Sequence, residues 1–215
     1  MSLWAIIPVK PLEDAKSRLA PALLPKQRFE LAQAMFRHVL SVTAAVQQIA
    51  GVLVISRDTK ALAIAREIGA KTLQEGAFSD LNPALTRATM VVKNWRADAV
   101  LILPADLPFI NSEDIRALVQ QSEDRSLVIA ADRACDGTNA LLLRPPGAIE
   151  YAYGPGSCQR HIRLAEAAEL RVVVHQSDRM ALDIDVPEDL KDYQKIVSRG
   201  DFGHLPSFPL ALSTG

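Results

Sequence analysis

The sequence predicts an α/β fold with a mixed, mostly parallel central sheet, and three features of the chain support this prediction. Short apolar runs alternate with segments of helical periodicity from residue 3 to residue 121. The apolar runs carry few charges, as do parallel strands that are covered on both faces. With 215 residues the chain can form one α/β domain with a sizeable core, whereas two full domains would be a tight fit.

The first elements follow in order from local patterns. An apolar run at 3–9 predicts a strand, and the proline-rich segment 10–25 predicts a loop. Apolar side chains then recur at intervals of three and four, which indicates an amphipathic helix that begins at Pro25. The next predicted elements are a strand at 51–56, a helix capped by Asp58 that ends at Gly69, a strand at 70–73, a helix at 82–95 started by Asn82 and Pro83, a strand at 100–103 and a helix at 111–121.

The pattern changes after residue 121. Apolar runs at 126–131 and 139–143 predict two strands joined by a polar loop. The remaining predicted elements are a helix at 158–169, a strand at 170–175, a short strand at 181–185 and a helix from Pro187 to about Val197. We therefore expect a domain at 1–197 and a tail at 198–215 that is disordered or packed on a partner. Apolar side chains in the tail indicate a homodimer contact: Phe202, Leu205, Phe208, Leu210 and Leu212.

Composition and charge disfavour several classes of protein. The formal net charge of −1 gives no electrostatic support for binding nucleic acid or an anionic membrane. No apolar segment approaches membrane-spanning length and no secretion signal is evident, so we expect a cytoplasmic protein. Two cysteines are too few for a disulfide framework or a four-ligand zinc site, and the four histidines lack ligand spacing. The glycine-rich phosphate motifs of Rossmann dehydrogenases and P-loop enzymes are both absent.

The stretch 101–109 contains the leading candidate for a functional carboxylate. Its apolar run stops at Asp106, which lies between Pro104 and Pro108. Because each proline disfavours helix for the residue before it, Asp106 is expected just past the carboxyl end of a central strand. Open α/β sheets bind their ligands at that edge. The alternative is a solvated aspartate in a turn.

Two more carboxylates, Asp183 and Asp185, belong to a short apolar run near the end of the chain. If this run is a strand, their side chains point the same way, and their charges repel unless a cation lies between them. Magnesium favours one or two carboxylates together with substrate phosphates. We therefore expect Asp106 and Asp183 to bind a divalent metal. For Asp185, Glu188 and Asp189 we favour the alternative, in which they only cap the last helix.

Cations form the next group of candidates. Lys10, Lys16 and Arg18 lie in the loop after the first strand, at the expected ligand edge of the sheet. Positive groups there can hold a triphosphate and stabilise pyrophosphate as it leaves. The alternative is that all three side chains are merely solvated.

A glycine-rich turn at 153–157 is the last candidate. Gly154 and Gly156 permit close backbone approach, and Ser157 is expected to begin a helix whose free N–H groups suit a phosphate. Arg160 is one helical turn further on. The alternative is an ordinary turn without a ligand.

Seven short segments together carry a family resemblance. They read IPVKP at 7–11, AKSRLA at 15–20, LN at 81–82, LPADLP at 103–108, GTNAL at 137–141, GPGS at 154–157 followed by Arg160 and His161, and DIDVPEDL at 183–190. In this order they resemble the guanylyltransferases of coenzyme F420 biosynthesis, which act on 2-phospho-L-lactate or phosphoenolpyruvate. The resemblance extends from residue 3 to about residue 197.

The resemblance implies a three-layer nucleotidyltransferase fold of the glycosyltransferase-A-like kind, with Mg²⁺ held by Asp106 and Asp183. It implies catalytic roles for Lys10, Lys16, Arg18 and Asp106. Positions matching those that bind the phosphorylated acid are Lys10, Thr138, Gly154 and Ser157. Positions in segments near the nucleotide are Lys16, Arg18 and Asn82.

The implied reaction joins GMP from GTP to 2-phospho-L-lactate, phosphoenolpyruvate or 3-phosphoglycerate and releases pyrophosphate. A phosphate monoester is largely dianionic near pH 7, since its second pKa is about 6, so the attack needs no general base. The glycine-rich opening and S-x-R-M-G motif of the wider superfamily are absent, which disfavours a molybdenum-cofactor or sugar phosphate acceptor. A nucleotidyltransferase for such an acceptor and a non-catalytic α/β ligand-binding module are the two alternatives.

Overall fold

The computed structural model describes residues 2–76 and 80–202, which contain seven strands and six α-helices. The strands are β1 (Leu3–Val9), β2 (Ile49–Ser56), β3 (Lys71–Gln74), β4 (Ala99–Ile102), β5 (Ser126–Ala131), β6 (Thr138–Arg144) and β7 (Arg171–Val174). The helices are α1 (Pro25–Ala44), α2 (Thr59–Glu67), α3 (Leu81–Asn94), α4 (Ser112–Gln120), α5 (Ser157–Ala167) and α6 (Pro187–Arg199).

The strands form one mixed sheet in the order β3-β2-β1-β4-β6-β5-β7. Four neighbouring pairs are parallel, whereas β6 is antiparallel to both β4 and β5. The predicted mixed, mostly parallel sheet is therefore confirmed. Because β6 runs against β4, its first residue lies at the edge of the sheet where β1 to β4 end.

Apolar side chains cover both faces of the sheet. Successive residues of a strand point to opposite faces, so Ile7 packs in the same cluster as Phe36 of α1, whereas Ile6 packs with Leu85 of α3. All four side chains are fully buried. The helices thus form a layer on each side of the sheet, and the strand ends at its rim are left available for a ligand.

A third apolar cluster fixes the loop after β1 against the segment that precedes α6. It contains Leu19 of the loop, Phe109 after β4, and Ile184 and Tyr193 from the last part of the chain. Ile184 is only 1% exposed. This cluster brings together parts of the chain that are more than 160 residues apart in sequence.

Two helix starts agree with the sequence prediction. The Asp58 side chain accepts a hydrogen bond from the Lys60 N–H at 2.8 Å and caps α2. Asn111 accepts from the Asp114 N–H at 2.9 Å, and the Asp114 carboxylate accepts in return from the Asn111 N–H at 3.0 Å. This reciprocal pair is a capping box at the start of α4.

The predicted start of α3 is wrong. The helix begins at Leu81 with Asp80 as its N-cap, so Asn82 lies inside the first turn. The Asn82 side chain instead accepts from the Tyr153 N–H at 2.8 Å and donates to the Tyr153 carbonyl at 3.2 Å. A contact between distant segments thus replaces the local cap that the sequence pattern favours.

The predicted strand at 181–185 is also wrong, because this segment is irregular. Its polar groups bond to side chains and loops rather than to a neighbouring strand. The Ala181 carbonyl accepts from the Arg133 N–H at 3.0 Å, and the Asp189 carboxylate accepts from the Asp185 N–H at 2.8 Å. These contacts hold the segment across the ligand edge of the sheet.

The end of the chain is only partly within the described residues. Helix α6 ends at Arg199, slightly beyond the predicted end, and Gly200 follows in the left-handed conformation. The Phe202 ring packs 5.2 Å from the Phe109 ring of the same chain. The other apolar tail residues, from Leu205 to Leu212, lie outside the described residues, and the domain boundary and the dimer contact stay predictions. None of the described helices combines the length and apolar character needed to cross a membrane.

Candidate active site

Three of the predicted site residues come from strand ends that share one edge of the sheet. Asp106 follows β4, which lies between β1 and β6 near the middle of the sheet. Lys10 directly follows β1, and Thr138 is the first residue of β6. Because β6 is antiparallel to β4, Thr138 begins at the edge where β4 ends. The predicted position of Asp106, just past the carboxyl end of a central strand, is confirmed.

A network of charged side chains occupies this edge. Lys16 Nζ lies 2.6 Å from Asp106 Oδ2 and 3.8 Å from Asp185 Oδ1, and the Lys16 side chain is only 6% exposed. Arg18 Nη1 lies 3.0 Å from Asp185 Oδ2, although its own side chain is mostly exposed. Asp185, expected only to cap the last helix, therefore faces the cations of the loop after β1. The capping role belongs to Asp189, whose carboxylate accepts from the Val186 N–H at 2.8 Å.

The backbone of Lys16 explains how a loop lysine reaches the carboxylates. Lys16 has φ 57° and ψ 35°, which is a left-handed backbone conformation that residues other than glycine rarely adopt. Burial lowers the pKa of the Lys16 ammonium, but Asp106, with Asp185 and Asp183, more than offsets this, so the pKa is raised. Lys16 therefore stays charged while it is buried among acidic groups.

Asp183 has the opposite electrostatic environment. Burial and the nearby charge of Asp106 together raise the pKa of Asp183 from 3.8 to about 6, while Lys16 lowers it only in part. The two carboxylates predicted to share a metal are therefore close enough to repel each other. Ile184 is buried in the apolar cluster, whereas its neighbours Asp183 and Asp185 are only partly buried.

The carboxylates fit the chemistry of a magnesium ion. Within residues 2–76 and 80–202, no group of three or more His, Cys, Asp or Glu side chains is arranged to hold a metal. Magnesium, however, is usually held by one or two carboxylates and completed by water and substrate phosphates. Asp106 and Asp183 supply such a pair, since the charge of Asp106 reaches Asp183 and adds to burial in raising its pKa.

A cleft of about 470 Å³ extends from this network across the ends of β1, β2 and β3. Its walls include Lys10, Lys16 and Asp106 at one end and Arg57, Glu75 and Asp80 at the other. Ala32, Met35 and Phe36 of α1 give it an apolar wall. A cleft with this volume and a charged end suits a small anionic ligand with an apolar or aromatic part.

Two of the residues predicted to bind the phosphorylated acid, Thr138 and Ser157, form a second cluster together with His161. Thr138 Oγ1 lies 3.0 Å from Ser157 Oγ and 3.1 Å from Nδ1 of His161, and all three residues are buried. His161 Nε2 accepts from the Ala152 N–H at 2.9 Å, so the proton of the neutral ring is on Nδ1 and is donated to Thr138. Sequence reasoning gave His161 no role, because only the fold reveals that both of its ring nitrogens are used.

The glycine-rich turn differs from the expectation of free N–H groups. The N-cap of α5 is Gly156 with φ 71°, and Ser157 is the first helical residue. The Gly156 N–H donates to the Asp136 carboxylate, the Ser157 N–H to the Gly154 carbonyl and the Cys158 N–H to the Asp136 carbonyl. These three donors are thus satisfied within the chain, which corrects that expectation. The predicted ligand roles of Thr138, Gly154, Ser157 and Asn82 stay predictions.

His161 predicts a pH dependence of stability. Burial, with a contribution from the Arg160 charge, lowers the pKa of His161 from 6.5 to about 4. As the pH falls, His161 is protonated in the unfolded chain at a higher pH than in the folded protein. The free energy of unfolding should therefore fall by roughly 3 kcal/mol as the pH drops from 6.5 to 4. In His161→Gln this fall should be smaller, as measured by urea unfolding at several pH values. An equally steep fall in that variant would contradict the assignment.

Comparison with known proteins now identifies the family. The family model described as "Guanylyl transferase CofC like" matches residues 3–201. A phosphoenolpyruvate guanylyltransferase of Rubrobacter xylanophilus is 42% identical over 191 residues, which cover 88% of this chain and 92% of the relative. A 2-phospho-L-lactate guanylyltransferase of Methanothermobacter thermautotrophicus is 37% identical over 208 residues, which cover 97% of this chain and 90% of the relative.

A solved structure supports the fold. The crystal structure of a protein from Desulfovibrio desulfuricans, described as a nucleotide-diphospho-sugar transferase, superimposes with a TM-score of 0.73. It covers 94% of this chain and 89% of its own chain at 16% sequence identity, so the likeness concerns the fold alone. The predicted nucleotidyltransferase fold is confirmed. With a family model that spans almost the whole chain and relatives above 30% identity, the protein belongs to the CofC-like guanylyl transferase family and is a nucleotidyltransferase.

Proposed function

We propose that the protein transfers GMP from GTP to the phosphate of a small phosphorylated carboxylic acid and releases pyrophosphate, as a cytoplasmic enzyme of coenzyme F420 biosynthesis. The observation that carries this proposal is the pairing of Asp106 with Lys16 at the charged end of the cleft, with Asp183 near enough that the charge of Asp106 adds to burial in raising its pKa. The names of the relatives supply the acceptor class, either phosphoenolpyruvate or 2-phospho-L-lactate.

The chemistry requires two anions to approach each other. The phosphate of the acid attacks the α-phosphorus of GTP, and the bond to pyrophosphate breaks. Since that phosphate is already deprotonated, the chain needs no general base, and its work is positioning and charge compensation. Mg²⁺ held by Asp106 and Asp183 would neutralise charge on the phosphates and on the departing pyrophosphate.

The cations of the loop after β1 contribute directly to this charge compensation. Lys16 is held at the charged end of the cleft by its ion pair with Asp106 and keeps its proton at neutral pH. Lys10 lines the same cleft and is exposed, so its ammonium is free to approach an incoming anion. Arg18 is bridged to the network through Asp185. Together these groups offset the negative charge that both substrates bring.

The proposed function is tested by a pyrophosphate-release assay. GTP and ATP are each combined with 2-phospho-L-lactate, phosphoenolpyruvate and 3-phosphoglycerate, with and without Mg²⁺. We expect release with GTP and at least one acid, only when Mg²⁺ is present. No release from any GTP and acid pair, or equal release in the presence of EDTA, would contradict the proposal.

Lys10→Ala is expected to weaken the binding of the acceptor acid more than the binding of the nucleotide. Removing one ammonium that contacts the acid should raise the KM for the acid roughly tenfold, because a charge-assisted hydrogen bond contributes about 1.5–3 kcal/mol at most. Steady-state kinetics with each substrate varied in turn measures both KM values. The control is Lys26→Ala, since Lys26 is exposed on α1, pairs with Glu30 at 3.8 Å and does not line the cleft. An unchanged KM for the acid would remove this role from Lys10.

A further inference from the structure

The cleft has a second end that the proposed chemistry does not use. Its charged end lies beyond β4, whereas Arg57 follows β2 and Glu75 follows β3. From β4 to β3 there are three strand intervals, which correspond to roughly 14 Å at about 4.8 Å each. If the triphosphate of a nucleotide lies beside Asp106, its base extends along the cleft toward β3.

Glu75 is well placed to meet that base. Its N–H donates to the Ser56 carbonyl at 3.0 Å, which ties its backbone to the end of β2. The side chain lines the cleft and is partly buried. Burial raises the pKa of Glu75, and the charges of Arg57 and Arg87 lower it only in part. A partly desolvated carboxylate in a ligand cleft gains from a neutral donor pair that it can bind.

The two other carboxylates at this side of the cleft are engaged differently. Asp14 Oδ2 lies 3.9 Å from Arg57 Nη2, and the Asp14 side chain is 72% exposed. Asp80 is the N-cap residue of α3, where a negative charge is favoured by the helix dipole. Glu75 combines an anchored backbone with a partly buried carboxylate, and the charges of Arg57 and Arg87 lower its pKa in part.

The bases differ in what they present to a carboxylate. Guanine offers two adjacent donors, the N1–H and the 2-amino group, which match the two acceptor oxygens of an ionised carboxylate. Adenine presents a lone pair at N1, which a carboxylate repels. Xanthine presents the N1–H donor beside the C2 carbonyl acceptor, and this pair matches a carboxamide instead.

We propose that Glu75 selects guanine by accepting hydrogen bonds from the N1–H and the 2-amino group of GTP bound in the cleft. This inference rests on the proposed function, because it takes GTP as the nucleotide. Glu75 touches only the base and takes no part in phosphoryl transfer. Its loss therefore changes which nucleotide is used and leaves the chemistry intact.

The test is a change of nucleotide preference in Glu75→Gln. The glutamine amide can accept from N1–H and donate to the C2 carbonyl of xanthine, so kcat/KM should fall roughly 10- to 100-fold for GTP and rise for XTP. The wild type should prefer GTP over XTP, and the variant should reverse that order. With inosine triphosphate, which lacks the 2-amino group, the wild type and the variant should differ much less than with GTP.

Matched variants identify which carboxylate acts. Asp14→Asn and Asp80→Asn replace the neighbouring acids in the same way and should keep the preference for GTP. A gain of XTP use in either of them, or unchanged GTP preference in Glu75→Gln, would overturn the assignment. Calorimetric binding of GTP and XTP to each variant gives the same comparison without turnover. A failure of the proposed function is distinguishable, since it appears as absent pyrophosphate release in the wild type.

Discussion

Asp106→Asn is expected to lower kcat by roughly 10²- to 10³-fold, which is the scale of removing one preorganised electrostatic group from an active site. An asparagine amide keeps the size and one acceptor oxygen of the aspartate but loses the charge that would hold a divalent cation. Lys16 would also lose its ion-pair partner at 2.6 Å, although Asp185 remains 3.8 Å away. The expected loss therefore falls on turnover more than on folding.

Pyrophosphate release and thermal unfolding, measured on the same preparation, separate these two effects. Asp178→Asn is the control, since Asp178 is exposed and does not line the cleft. The Asp106 variant should unfold cooperatively and still show the large loss of kcat. Activity equal to that of the wild type would remove Asp106 from the chemistry.

Asp183→Asn is expected to change stability and activity in opposite directions. The pKa of Asp183 is raised from 3.8 to about 6, so the folded protein holds this proton more tightly than the unfolded chain. The contribution of Asp183 to the free energy of unfolding therefore falls as the pH rises from about 4 to about 6. Above pH 6 the carboxylate is charged in the folded protein, and its destabilising effect is complete. Asparagine carries no charge and removes the penalty.

The variant should then be more stable than the wild type at pH 8 without metal, by on the order of 1–3 kcal/mol, with little difference at pH 4. Its kcat/KM should fall at least tenfold, because one of the two proposed metal ligands is lost. Urea unfolding at the two pH values, together with the pyrophosphate assay, measures both effects. A variant that is destabilised at pH 8, or fully active, would contradict the environment or the role given to Asp183.

Such an opposition between stability and activity is typical of active sites, where like charges are held together for function. Asp183 and Asp106 repel each other in the free protein, and Lys16 offsets part of that repulsion from a strained left-handed backbone. The strain and the repulsion both belong to the same short stretch of the sheet edge. A divalent cation between the two carboxylates would relieve the repulsion.

The sequence predicted much of the fold because its signals were local. The apolar run before Pro104 ends a buried strand, and Asp106 follows it as expected. Asp58 and Asn111 are strong caps whose partners lie within three residues, so both helix starts could be predicted. These features depend on neighbours in the chain rather than on the tertiary structure.

The errors arose where distant contacts decide the structure. Asparagine is a residue type that favours the N-cap position, but the Asn82 side chain bonds instead to the backbone of Tyr153, 71 residues away. The segment 181–185 alternates like a strand, yet its Ala181 carbonyl accepts from the N–H of Arg133, which lies in a distant loop. Neither partner can be found from the local pattern, because the register of a strand depends on what lies beside it.

The candidate site was predictable in part for the same reason. Residues at strand ends, such as Lys10 and Asp106, could be assigned to one edge from the order of elements. Asp185, His161 and Glu75 could not be assigned, because their environments depend on packing between segments. For Glu75 the local signal was its position two residues after the short strand predicted at 70–73.

Asp106 and Asp183 are proposed to act as one divalent-metal site at the rim of the sheet. Calorimetric titration of Mn²⁺ into the protein, in the presence of a non-hydrolysable GTP analogue, tests this directly. The titration is made on the wild type, on both single asparagine variants and on the double variant. A shared ion predicts that each single variant loses most of the affinity and that the double variant loses little more. Unchanged affinity in either single variant, or losses that simply add, would contradict the claim.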